Sequence, residues 1–105
     1  MVDRTSEVLV GIHTERRKQD ARWGLQDHPN GTGCLGDRAR ANAARDAADL
    51  HVQLNQLTFR DILHEEVQEA FAESDEDKLE EELLQVAAVA TLWIEAIRRR
   101  RTKNG

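Results

Sequence analysis

The chain has 105 residues, with 15 basic and 20 acidic side chains, a formal net charge of −5 and a mean hydropathy of −0.69. Its lone Cys34 excludes an internal disulfide framework, and no apolar stretch resembles a signal peptide or a membrane span, so a cytoplasmic protein without membrane contact is expected. One Pro, no Tyr and abundant Ala, Glu, Leu and Arg predict an all-α chain without strands, a single domain over residues 1–105 whose core self-association completes.

The first helix is predicted over Ser6 to Ala21, with Val8, Leu9 and Ile12 as its apolar face and a strongly polar second half from Glu15 to Asp20. Trp23 to Asp37 reads WGLQDHPNGTGCLGD, which holds the chain's Pro and four of its glycines and marks a loop of residues 23–37, long enough to be functional or flexible. An Ala-rich second helix follows from Arg38 to about Gln56, its apolar face mostly Ala plus Leu50, Val52 and Leu54, which suits close packing against a neighbour. Thr58 with Asp61 resembles a capping box opening the third helix, although Glu or Gln is the usual third residue, and Phe59, Leu63, Val67 and Ala70 mark its buried face. Ser74 to Asp77 is a polar break whose acids suit the positive end of a helix. The fourth helix then runs to about Arg100 on the stripe Leu79, Leu83, Val86, Ala90, Trp93 and Ile97. Arg98 to Arg101 and Lys103 form a basic tail, residues 98–105, read as complementing the helix's negative end rather than as a nucleic-acid contact, which the acidic balance disfavours.

Two acidic signatures stand out: Glu65-Glu66-Val67-Gln68-Glu69 and Glu82-Leu83-Leu84-Gln85. Helix positions three apart share a face, so Glu66 and Glu69 converge from one helix, and Glu82 and Gln85 from the next. Taken alone, an EExxE string is more often a solvated helix face. The second signature, however, opens onto LLQVAAVATLWIEAI, Leu83 to Ile97, whose only polar members are Gln85, Thr91 and Glu95. A helix apolar nearly all round is expected to be buried, which places Glu82 and Gln85 where it enters a core. Between Asp61 and Gln85 eleven acids stand against one Lys, so a bound cation is the simplest compensation. Oxygen ligands without Cys or His favour Mg²⁺ or Mn²⁺.

The chain resembles small MazG-like members of the all-α nucleoside triphosphate pyrophosphohydrolase superfamily, whose pattern is EExxE, a spacer, then ExxD. The similarity extends over ERRKQDARWGLQDHP at Glu15 to Pro29, FRDILHEEVQEA at Phe59 to Ala70, and EELLQVAAVATLWIEAI at Glu81 to Ile97. It implies a four-helix bundle assembled as a homodimer or dimer of dimers, which hydrolyses a nucleoside triphosphate between its α- and β-phosphates with Mg²⁺. By position, Glu66, Glu69 and Glu82 would be metal ligands, with Gln85 where the family has Asp. Glu65 would orient the attacking water or hold a second metal. A Gln carbonyl brings no charge, so the site is expected to hold its cation more weakly, retaining it when triphosphate adds its own oxygens. The alternative is a non-catalytic helical dimer that binds nucleotide or a protein partner through a degenerate metal site.

Trp23 can stack on a base or plug the loop, and Gln26 and His28 can reach base or ribose. Arg16, Arg22, Arg38 and Arg45 offer guanidinium forks for phosphate, and Gln19 joins Arg22 and Arg38 in the expected substrate-facing set. His64 lacks the second His that a zinc-hydrolase HExxH motif needs. His13 and His51 read as surface residues, Cys34 as a thiol without a catalytic partner, and Trp93 as core or subunit interface.

Overall fold

The computed structural model describes residues 3–104: α1 (Arg4–Trp23), α2 (Asp37–Gln53), α3 (Phe59–Phe71) and α4 (Glu76–Asn104), with no strand among the described residues. The all-helical expectation holds, and none of these helices is long and apolar enough to cross a membrane. The described residues divide into two compact units, one made of the chain up to Pro29 and from Thr91 onward, the other of Asn30–Ala90.

In the first unit, α1 begins two residues before the predicted start because Asp3 caps it, its carboxylate accepting from the Ser6 amide at 2.7 Å. That bond satisfies an orphan donor of the first turn and holds the Asp3 carboxyl below its ordinary value. The helix ends where Gly24 takes φ 67°, a conformation glycine adopts without cost, and its amide donates to the Asp20 carbonyl at 2.7 Å. Trp23 is thus the last residue of α1 rather than the first of the loop. Val8 of α1 and Ala96 of α4 are buried, and Thr5 Oγ1 donates to Glu95 Oε2 at 3.0 Å. The face expected of α1 is only partly used, since Leu9 and Ile12 are exposed. The basic run is not a tail after α4 but its last turns, because Arg and Lys are good helix formers and sit favourably at the negative end. Gly105 lies outside the described residues.

The second unit is built on the packing of α2 against α3. Ala41, Ala44 and Ala48, three and four residues apart, form the buried stripe of α2, and Ala70 is buried on α3. Small side chains let the two backbones approach. Leu50, Val52 and Leu54, expected on that face, are exposed. The helix stops at Gln53, three residues early, because Asn55 turns left-handed at φ 55°, which Asn tolerates. The capping box of α3 forms as read: Asp61 N donates to Thr58 Oγ1 at 3.2 Å and Thr58 N to Asp61 Oδ2 at 3.0 Å. Asp75 accepts from the amides of Asp77 and Lys78 at 2.9 and 3.3 Å, starting α4. The Gly-rich stretch is tied down by Gly33 N donating to the Phe71 carbonyl at 2.8 Å and Asn30 Nδ2 to Glu76 Oε2 at 3.1 Å. Along α4, Leu79, Thr91 and Ala96 are buried, but Leu83, Leu84 and Leu92 are exposed. The expectation that α4 is buried all round is therefore corrected for a single chain: a helix with few neighbours covers one side only.

Candidate metal and phosphate site

Helix α3 carries Glu65, Glu66 and Glu69, all half-buried, and α4 carries Glu82, also half-buried, with Gln85 exposed one turn on. Glu65, Glu69 and Glu73 are spaced by four, one ridge of α3 and its exit. Arg38 and Arg45 are seven apart, two turns of α2, and so share its face. The close α2–α3 packing sets these two rows against each other. Arg38 Nη1 donates to Glu69 Oε2 at 2.9 Å, and Arg45 Nη2 is in direct contact with Glu69 Oε1. Arg38 Nη2 lies 3.7 Å from Glu73 Oε1, and Arg45 Nε 3.8 Å from Glu65 Oε1.

The carboxylates differ accordingly. Burial pushes Glu69 upward, but the hydrogen bonds and charges of Arg38 and Arg45 outweigh it and hold the group below its ordinary value. Glu66 is raised, by burial first and then by the charges of Glu82, Glu65 and Glu69. Glu82 is raised too, by burial and then by Glu69, Glu73 and Glu81, with Arg38 opposing. The two signatures therefore feel each other across α3 and α4.

Hard carboxylate oxygens with unrelieved negative charge suit Mg²⁺ or Mn²⁺. Yet among the described residues no three His, Cys, Asp or Glu side chains stand together as a metal-holding group. Glu69 faces the arginines, so the expected set Glu66, Glu69 and Glu82 is not assembled. The donor chemistry fits a hard cation; the Glu69 side chain must turn to complete it.

Of the expected substrate-facing residues, only Arg38 joins the acids in this unit. Gln19, Arg22, Trp23, Gln26 and His28 belong to the first unit. There the Trp23 ring is 57% exposed with the Arg22 guanidinium 4.7 Å from its centre, a cation–π contact that leaves ring surface open. Gln19 accepts from Arg16 Nη1 at 2.9 Å, and the His28 and Gln26 side chains share a 3.3 Å hydrogen bond. His51 is not simply a surface residue: its Nδ1 is buried, 2.9 Å from Asp61 Oδ2, and holds the Asp61 carboxyl, with help from Thr58, at about 2. His13, His64 and Cys34 are exposed. The grip on Glu69 and the participation of Glu73 were not read from the sequence, although the seven-residue and four-residue spacings are its signal. No family model, no curated protein and no solved structure matches this chain.

Proposed function

We propose that the chain is a Mg²⁺-dependent nucleoside triphosphate pyrophosphohydrolase, giving a nucleoside monophosphate and pyrophosphate in the cytoplasm. The supporting observation is the meeting of two acidic signatures from α3 and α4 whose Glu66 and Glu82 carboxyls are both raised by burial and by neighbouring negative charge. Two carboxylates held close against their repulsion are costly, and a cation or its complex with phosphate relieves that cost.

Mg²⁺ supplies charge neutralisation at the phosphate oxygens and a more acidic bound water. Glu66, Glu82 and, once turned, Glu69 offer it oxygens, with the Gln85 carbonyl as a fourth, neutral donor. Glu65 orients the attacking water or takes its proton. Arg38 meets a phosphate, and Trp23 stacks on the base, with Gln19, Arg22, Gln26 and His28 around it. Exposed Leu83 and Leu84 suit self-association as a dimer or dimer of dimers.

Pyrophosphate release from a panel of NTPs and dNTPs, with Mg²⁺ or Mn²⁺, tests this beside Glu66→Gln. Metal-dependent release that the variant abolishes is the expected result; equal release from the variant contradicts the assigned site. One observation favours a second reading, a nucleotide-binding protein without hydrolysis: Glu69 is held by two arginines. Nucleotide binding without any release would select it.

A further inference from the structure

Glu69 is the most deeply placed of the α3 acids engaged by arginine, its side chain 16% exposed, whereas Arg38 and Arg45 are 52% and 49% exposed. The carboxylate is fixed inside and the two guanidinium groups reach it from the solvent side. Each of its oxygens is already taken, one by each arginine. A carboxylate so occupied is a poor metal ligand. The same guanidinium fork that matches a carboxylate also matches a phosphate, and half-exposed ion pairs of this kind are weak enough to be exchanged.

Resting on the metal-and-triphosphate reading above, we propose that Arg38 and Arg45 are a latch on Glu69 that opens by exchange: the cation takes the Glu69 carboxylate as the triphosphate takes the two guanidinium groups. Every charge keeps a partner through the exchange. The cation arriving alone would strip two arginines of their acid and leave them bare; arriving with triphosphate, it does not. Metal and polyphosphate therefore bind cooperatively, and the coupling runs through Glu69. Arg45, which the sequence reading left as one of several phosphate contacts, becomes a positioning residue for the metal as well.

The test is the affinity for Mn²⁺ alone, and for Mn²⁺ with a triphosphate analogue carrying a methylene bridge between its α- and β-phosphorus, in Arg38→Gln, Arg45→Gln and the double variant. The double variant should bind Mn²⁺ alone about tenfold more tightly, the scale of two removed half-exposed ion pairs. Its affinity for the analogue should fall by a similar factor. These opposite signs separate a latch from structural damage, which would weaken both. Arg60→Gln, an exposed arginine on α3, controls for the loss of charge alone and should move neither. Should the double variant not fold, the side-chain N–H signals of Arg38 and Arg45 in the native protein must still shift when Mn²⁺-free Mg²⁺ and the analogue are added together. Native-like Mn²⁺ affinity in the latch variants, with Glu66→Gln weakened, overturns the latch and leaves the site. No Mn²⁺ binding by any form overturns both.

Discussion

Asp61 shows how one side chain joins two helices. Its Oδ2 accepts from the Thr58 amide at 3.0 Å and the Thr58 hydroxyl at 2.8 Å, and lies 2.9 Å from His51 Nδ1 at the end of α2. These partners favour the ionised form, which is why the folded carboxyl titrates near 2 against an ordinary 3.8. A depressed carboxylate stabilises the fold above its unfolded pKa, and that contribution is lost as pH falls through the folded one. Urea unfolding at a series of pH values should show stability declining between about pH 4 and pH 2, with the decline shallower in Asp61→Asn. Removing the other half of the box, Thr58→Ala, should cost about 1 kcal/mol at neutral pH in the same assay. At Glu66 the sign is reversed, because burial and like charges oppose its ionised form. Glu66→Gln should therefore abolish pyrophosphate release while raising metal-free stability by about 0.3 kcal/mol, the scale of one relieved like-charge pair on a helix. A loss of both would mean that Glu66 is structural.

Among the elements, what sequence made legible was what local chemistry determines. The Asp61 box, the Gly-rich break and the four-residue stripes mark four helices, because caps, turns and periodicity act within a few residues. Which face a helix buries is decided by its neighbour. In α2 the bulky Leu50, Val52 and Leu54 outweighed the alanines on paper, yet the buried stripe is Ala41, Ala44 and Ala48. Close approach to α3 needs small side chains there. Ala41 is 0% exposed, so Ala41→Leu should destabilise by about 1–3 kcal/mol, with the loss read from chemical denaturation. The acidic signatures were likewise visible, but the grip of Arg38 and Arg45 on Glu69 depends on how α2 registers against α3. Gly33 is a similar case. At φ 74° it takes a conformation that side chains disfavour, and a Cβ there would lie 2.8 Å from Ser74 Cβ. Gly33→Ala should cost about 1–2 kcal/mol from the left-handed backbone alone and weaken the Gly33–Phe71 bond, a loss that amide exchange at Gly33 would report.

For the whole molecule, the open question of substance is what covers the leucines of α4. The apolar run from Leu83 to Ile97 predicted a helix hidden on all sides, and the single chain leaves Leu84 66% exposed. A second copy of the chain is the occupant that the proposed function calls for, and two-fold symmetry makes any leucine at such an interface count twice. Covering a leucine side chain is worth about 1.5–3 kcal/mol, so losing two equivalent ones in a dimer removes at least about 3 kcal/mol of association, more than a hundredfold in affinity. Sedimentation velocity should accordingly find the native chain larger than a monomer, and Leu84→Lys shifted toward the monomer with its helical circular dichroism kept. A native chain that stays monomeric at high concentration would defeat the self-association. The acids of α3 and α4 would then have to hold their cation within one chain, and pyrophosphate release should be independent of protein concentration. An oligomer whose site needs its neighbour would instead lose specific activity on dilution, in step with its dissociation.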